Sequence, residues 1–418
     1  MFTRRLGKAT LKVLVTIEDH LWRGADGCIY GHGPTGYAVW SEFLGSFEQV
    51  ILLARVANRS NSFTGGNKVE GPSVSVQELP DHLGPWQYLL TLPTLRFRVR
   101  RAVPQADSFL IRVPGLIGRL AWKEIRRLRR PYAAEVMSDP WDTMSPGAIY
   151  SPLRPLYRSI ASENLKIICE HAFATLYWNG QAMRQRYPPP NNAYTCVAPR
   201  IFLSSGYASP ELMAERFRRM EARSGLNQSR DRALRIGFIG SFAQLYKGAD
   251  TLLGSLATCL RIGATLEISF VGEGRYRKNM ESLARDLSVE RNVRFLGQLG
   301  FGQPVCDFLD SVDLFVMPSR AEGLPRALVE AMARGCPCIG SDVGGIPELL
   351  AAEDLVPPND PEALARIIME VTADPQRMKA MSVRNLARAK QFDPEVLREV
   401  RRAFYRHVRD HSVIDAKS

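Results

Sequence analysis

Two glutamates with seven residues between them, Glu322 and Glu330, stand in the run Pro318-Ser-Arg-Ala-Glu-Gly-Leu-Pro-Arg-Ala-Leu-Val-Glu-Ala-Met-Ala-Arg-Gly-Cys-Pro337. Pro325 suits the start of a helix because its fixed φ matches and its missing N–H is not needed there, while Gly335 and Pro337 end it. Glu322 therefore belongs to the loop before a helix N-terminus, a place that attracts phosphate and presents reactive groups. Glu330 belongs inside the helix, among Ala327, Leu328, Val329, Ala331, Met332 and Ala333. Those neighbours imply burial, and a buried carboxylate needs a partner. Two partners are open: an ion pair with Arg326 or Arg334, four residues to either side, or the vicinal hydroxyls of a ribose.

A third chemical residue is Lys247, in the turn Gly240-Ser-Phe-Ala-Gln-Leu-Tyr-Lys-Gly-Ala-Asp250. It directly precedes a helix whose positive dipole end repels it, so either solvent or a bound anion accounts for its placement. Glycines at two further strand ends, Gly272 in Val271-Gly-Glu-Gly274 and Gly297 in Phe295-Leu-Gly-Gln298, read as turns or as close approaches to a ligand. Neither Gly272-Glu-Gly-Arg-Tyr-Arg277 nor Gly31-His-Gly-Pro-Thr-Gly36 completes a dinucleotide or P-loop fingerprint. No Asp-x-Asp follows a strand cleanly, and no His, Cys and carboxylate group has metal-ligand spacing. The expectation is chemistry without metal or other cofactor, in which Lys247, the N–H groups around Gly323 and Leu324 and the helix end stabilise a departing anion.

With these residues in place, the sequence resembles the retaining glycosyltransferases of family 4. The resemblance rests on Glu322 to Glu330, on Pro318-Ser319 before them, and on Gly335-Cys-Pro-Cys-Ile-Gly-Ser-Asp-Val-Gly-Gly-Ile-Pro-Glu348 after them. It implies an α/β chain of the GT-B fold, two facing Rossmann-like domains with parallel sheets and a C-terminal helix. It implies Lys247 and Glu322 as catalytic residues, and a donor site of Gly240, Ser241, Lys247, Gly272, Gly297, Glu322, Gly323, Leu324 and Glu330. The partners implied are a nucleoside-diphosphate sugar and a glycan or polyprenyl-linked acceptor of bacterial surface polysaccharide synthesis, with retention at the anomeric carbon. Ser241 stands where many members carry arginine, which shifts diphosphate neutralisation onto Lys247. The first half departs further: Glu135-Val-Met-Ser-Asp-Pro-Trp-Asp142 offers Asp139 where members commonly show a histidine. Arg112 and Asp139, both at strand ends, are the acceptor-side candidates, although Asp139 before Pro140 equally suits a turn. A noncatalytic GT-B partner in an assembly complex and a sugar-nucleotide epimerase are the alternatives.

These residues need a scaffold, and the chain of 418 residues is apolar enough, at 45% hydrophobic, for two cores of ordinary size. Short apolar runs separated by helix-length stretches predict strands at 11–17, 49–56, 109–113, 133–137 and 166–169. The rhythm restarts at 234–240 and continues through 266–271, 293–296, 314–317 and 337–340, the pattern of two parallel sheets covered by helices. The division expected is an acceptor-side domain over 1–204, a turn-rich connection over 205–232, a nucleotide-sugar domain over 233–392 and an amphipathic helix over 393–418.

No run of about 18 apolar residues is present, and the seven cysteines are scattered, which together suit a cytoplasmic protein. The net charge of +12 is concentrated between Arg96 and Arg130, where eleven basic residues meet only Asp107 and Glu124. Such a patch seeks anions; no nucleic acid is expected, but an anionic membrane surface is. Leu116, Ile117, Leu120, Trp122 and Ile125 interleave with the arginines as in an interfacial helix that would hold the protein on the inner face of the membrane. Ordinary core packing is the rival reading of the same stripe.

Overall fold

The computed structural model describes residues 11–32, 35–58, 66–82, 84–144, 153–178, 180–199, 203, 206–222, 233–300 and 302–412. Two sheets organise the chain. The first contains β1 (Lys12–Arg23), β2 (Ile29–Gly31), β3 (Gln49–Asn58), β4 (Asn67–Lys68), β5 (Val74–Pro80), β6 (Ser108–Val113), β7 (Ala133–Val136), β8 (Ala174–Tyr177) and β9 (Tyr194–Val197). Its parallel body runs β5-β3-β1-β6-β7-β8-β9, and β2 and β4 form an antiparallel flap off the far end of β1. The second contains β10 (Leu234–Ile239), β11 (Leu266–Val271), β12 (Val293–Gly297), β13 (Leu314–Met317), β14 (Cys338–Ser341) and β15 (Leu355–Val356), all parallel in the order β12-β11-β10-β13-β14-β15.

Central strands buried on both faces explain the continuous apolar runs: Ser108–Val113 and Leu314–Met317 are buried at every position. Each sheet accordingly has two hydrophobic clusters, one per face. The helix Pro210–Glu221 leads into the second domain, capped at Ser209, whose side chain accepts from the Leu212 N–H at 3.2 Å. Fully buried Arg216 fastens it there by donating to the carbonyls of Val312 (2.8 Å), Leu309 (2.6 Å) and Arg334 (3.0 Å). The helix Pro394–Ser412 then crosses back: Leu397 packs in a second-domain cluster, whereas Phe404, Tyr405 and Val408 pack with Trp40 and Phe43 in the first. That return ties the two sheets into one molecule.

Three sequence expectations change. Lys166–Cys169 is the end of the helix Arg154–Glu170, where Leu165, Ile168 and Cys169 form its buried face; the strand expected there is β8, five residues further on. A four-residue apolar run fits helix or strand equally, and the helical spacing of its neighbours decides. The strands β5 and β9 and the short β2, β4 and β15 carry no strong apolar run and are read only from the structure. Finally, the helix Leu116–Arg127 buries Ile117, Leu120, Trp122 and Ile125 in the first-domain core, which leaves only Leu116 of that stripe exposed. Core packing claims the residues that an interfacial helix needs. Several of the arginines are also engaged internally: Arg127 with Glu124 at 2.6 Å, Arg98 with the Glu78 carbonyl at 3.0 Å and Arg130 with the Asp107 carbonyl at 2.8 Å. Among the described residues no helix is long and apolar enough to cross a membrane.

Candidate functional site

In the second sheet the chain winds from β10 outward to β12 and then returns to place β13 on the other side of β10. The connections after β10 and β13 therefore leave on opposite faces and open a crevice at the carboxyl edge, the usual ligand position of such sheets. Lys247 arrives on the connection after β10, at the end of a single 3-10 turn, Leu245–Lys247. Glu322 arrives on the connection after β13. Their side chains meet, with Lys247 Nζ 2.5 Å from Glu322 Oε1, and Ser319 Oγ donates to the same oxygen at 2.9 Å. Glu322 is only 8% exposed, so an unpaired charge there would be costly and the lysine offsets it.

The two loops are locked together by their main chains. Gly248 has φ +74°, and a Cβ built on it would lie 1.9 Å from the Pro318 carbonyl oxygen. On the other flank Gly344 has φ +54°, and its Cβ would lie 1.8 Å from the Glu322 carbonyl oxygen, while the Gly345 N–H donates to the Gly323 carbonyl at 2.8 Å. Any side chain at either glycine drives the loops apart. Arg320 completes the lock: it donates to the Leu245 carbonyl at 2.5 Å and to Asp250 at 2.6 Å, and its own N–H donates to the Tyr246 carbonyl at 2.7 Å. Arg320 was not among the residues the sequence marked; an arginine among the residues of a functional loop, with an acid in the facing helix turn, was the available signal.

Gly240, Gly272 and Gly297 end the neighbouring strands β10, β11 and β12 and are joined by main-chain bonds, Gly240 N–H to the Val271 carbonyl (2.9 Å) and Gly272 N–H to the Gly297 carbonyl (2.8 Å). Exposed Ser241 is used in its own turn, its hydroxyl accepting from the Ala243 N–H at 3.1 Å. The helix Arg326–Ala333 follows Pro325, which occupies the N-cap position, offers no side-chain cap and leaves that end for another acceptor. Gly323 and Leu324 lie between Glu322 and that helix end.

Glu330 lies about one turn along this helix, half-buried, and among the described residues no hydrogen bond or ion pair joins it to the Lys247–Glu322 pair. Arg334 does not pair with it; that guanidinium is held by Asp310 at 2.6 and 2.8 Å. Among the described residues no ion pair or hydrogen bond reaches the Glu330 carboxylate. Burial pushes its pKa above the usual carboxylate value, and the exposed Arg326 only partly counters this through its field. Glu330 borders a narrow gap together with Val305, Cys306 and Leu309.

The acceptor-side candidates are placed differently from their expected positions in the cleft. Arg112 is 4% exposed, its Nε donates to Glu135, and its guanidinium stacks over Trp40 at 4.5 Å; Tyr405 of the C-terminal helix donates to the other Glu135 oxygen at 3.1 Å. It joins the sheet to the returning helix inside the domain. Asp139 is also 4% exposed, and it accepts from the Trp141 N–H at 2.7 Å and the Tyr187 hydroxyl at 2.6 Å, besides pairing with Arg186. The turn reading is the one its hydrogen bonds follow. Burial, then the bond to Asp139, raises the Tyr187 phenol above its usual value. Glu348, the end of the glycine-rich continuation, instead crosses between domains and accepts the Gln181 and Ala182 N–H groups at 2.8 and 3.0 Å. Among the described residues, no group of three or more His, Cys, Asp or Glu is placed to hold a metal ion.

Residues 233–374 match the family described as "Glycosyl transferases group 1". Protein CapJ of Staphylococcus aureus is 25% identical over 333 residues, 79% of this chain and 79% of that protein. The amylovoran biosynthesis glycosyltransferase AmsK of Erwinia amylovora is 30% identical over 135 residues, 30% of this chain and 33% of that protein, so the match to AmsK spans about a third of its length. The crystal structure of Anabaena HepE in complex with UDP-glucose superposes with a TM-score of 0.59 at 18% identity, covering 94% of this chain and 98% of that one.

Proposed function

We propose that this chain, a GT-B glycosyltransferase whose residues 233–374 belong to group 1, transfers a sugar from a nucleoside-diphosphate donor to a glycan or lipid-linked acceptor in the assembly of a bacterial surface polysaccharide. The observation that carries this reading is the Lys247–Glu322 pair, held 2.5 Å apart at the switch point of the second sheet. The donor's diphosphate lies against Lys247 and the open N-terminus of the helix Arg326–Ala333, where cation and dipole both favour negative charge. Lys247 exchanges its carboxylate partner for the phosphate, and Glu322 is released to accept from the sugar hydroxyls and orient the ring. The ionised Glu330 accepts from the two ribose hydroxyls.

The bond from the anomeric carbon to the phosphate oxygen breaks, its electron pair leaving on the diphosphate. The acceptor hydroxyl attacks from the same face and gives its proton to the departing phosphate, so configuration is retained. Lys247 and the helix end carry the developing charge, and this reading assigns no step to a metal. AmsK, named for amylovoran biosynthesis, supports the polysaccharide context, and HepE with UDP-glucose supports the donor class.

Incubating the protein with candidate sugar nucleotides and acceptors tests the reading through its products. Transfer gives a glycoside and a nucleoside diphosphate; a new sugar nucleotide instead means an epimerase, and no turnover with any pair, despite donor binding, means a noncatalytic partner. Calorimetry with Glu330→Gln tests the ribose contact: nucleotide binding weakens while the fold is kept. An unchanged Kd assigns Glu330 another role.

A further inference from the structure

The first sheet has its own switch point, between β1 and β6, because β3 and β5 extend to one side of β1 and β6 to β9 to the other. At the carboxyl ends of those strands lies a cavity of about 730 Å³, within the roughly 300–1,000 Å³ of small-molecule sites. Val113, Met144, Ile160 and Ile168 are among its apolar walls, and His20, Arg55, His82 and Arg119 enter it from the polar side. The apolar lining does not stop at the rim. Leu116, Tyr157 and Ile160 are 40–47% exposed, and Leu153 and Leu156 continue the same helix face into solvent.

Arg119 has no acid to match it among the described residues. Among them its side chain makes no hydrogen bond or ion pair, and its Nε is buried without a partner. The Arg55 Nε is likewise buried and unpartnered, although its outer nitrogens reach the Glu18 carbonyl and His82. The Glu18 carboxylate lies 3.9 Å from Arg55, but it accepts the Ile117 and Gly118 N–H groups at 2.7 and 3.1 Å and so caps the helix Leu116–Arg127. His20 is held by Asp81 at 2.8 Å. Buried guanidinium nitrogens without acceptors call for an anion, and the apolar wall calls for a hydrocarbon. A free sugar would leave its hydroxyls against the wall unpaired; an inorganic anion would leave the wall uncovered.

We propose that this cavity binds a phosphate-bearing lipid, its chain along Val113, Ile160 and Ile168 and its phosphate at Arg119 and Arg55. Calling that lipid the acceptor rests on the transferase reading above; its binding does not. The two are separated by titrating the full chain with farnesyl phosphate, geranyl phosphate, farnesol and inorganic phosphate, below micelle-forming concentration, and with nucleoside diphosphates in parallel. Farnesyl phosphate is expected to bind one to one and more tightly than geranyl phosphate, since each methylene buried is worth about fourfold in affinity. Farnesol should bind at least tenfold more weakly than farnesyl phosphate, and inorganic phosphate more weakly still. Arg119→Gln should bring farnesyl phosphate down to the level of farnesol, and Ile160→Asp should weaken both, with the melting temperature and the nucleotide response unchanged. No saturable binding of farnesyl phosphate overturns the proposal. So does binding that neither variant alters, inorganic phosphate binding as tightly as the lipid, or attachment only to anionic vesicles, which would mark a membrane surface. Loss of nucleotide binding alone sinks the donor site and leaves the cavity standing.

Discussion

The two domains place their crevices at the same topological position and build them from different material. After β10 and β13 the site is made by main chain: Gly248 and Gly344 let loops approach to distances that a Cβ would forbid, and a single lysine and glutamate are set into that frame. After β1 and β6 it is made by side chains converging from residues 20, 55, 82, 113–119, 140–144 and 157–168 around an open cavity. The first arrangement fixes geometry before any ligand arrives. The second leaves volume, which a change of side chain can reshape without disturbing the sheet. One frame suits a ligand whose polar groups are always in the same places, the other a ligand that differs in bulk.

The largest effect should come from attacking the first domain where the comparison says no ligand is touched. Arg112→Leu removes the guanidinium that pairs with the buried Glu135, and breaking a buried pair costs about 3–5 kcal/mol. Urea unfolding should show that loss, while the protein that remains folded binds nucleotide as before. A variant of undiminished stability but lost turnover would return Arg112 to the acceptor site.

In the second domain the expected losses are catalytic. Lys247→Met and Glu322→Gln should each lower turnover by about 10²–10³, the scale of one preorganised electrostatic contact, without unfolding the chain. Lys247→Met should also weaken nucleoside diphosphate binding; Glu322→Gln should spare it and weaken only sugar-bearing donors. Wild-type turnover in both variants places the chemistry elsewhere.

These differences also explain what the sequence disclosed. Five of the six strands of the second sheet were legible, all but the short β15, and Lys247 and Glu322, 75 residues apart, were both marked because the loops that carry them need glycine and proline at set places. Arg112 and Asp139 were marked for standing at strand ends, but a strand end does not tell which way a side chain turns, and both turn inward. The segment 166–169 was misread because four apolar residues carry no period. His20 and Arg55 gave no signal at all, since only the pairing of β1 with β3 brings them beside the same cavity. The stripe of the helix Leu116–Arg127 admitted both a core and a membrane, and only the packing chose.

A smaller effect is expected where the domains touch. Glu348→Ala removes the acceptor of the Gln181 and Ala182 N–H groups and should cost about 0.5–2 kcal/mol, the range of a lost helix cap. Because this contact joins the domains, small-angle scattering should show a wider spread of shapes and turnover should fall modestly, with the nucleotide Kd unchanged. An unaltered scattering profile would make Glu348 a local cap alone.

The smallest effect has the most specific sign. In the free protein the Glu330 carboxyl titrates above its ordinary range because burial disfavours its charge. A carboxyl with a raised folded-state value contributes stability that is fully present below the unfolded value and is lost as pH rises through the folded one. Glutamine does not titrate. The stability of Glu330→Gln relative to wild type should therefore increase as pH rises through and above the carboxylate range, so that at neutral pH the free variant melts slightly higher than wild type. Saturating nucleoside diphosphate should reverse the order, because the ionised carboxylate then has the two ribose hydroxyls to accept from and the amide accepts less strongly. Melting curves between pH 4 and pH 8, with and without nucleotide, check both halves. A free variant less stable than wild type, by a margin that widens with pH, would mean that the charge is already paired within the protein and is not held for a ligand.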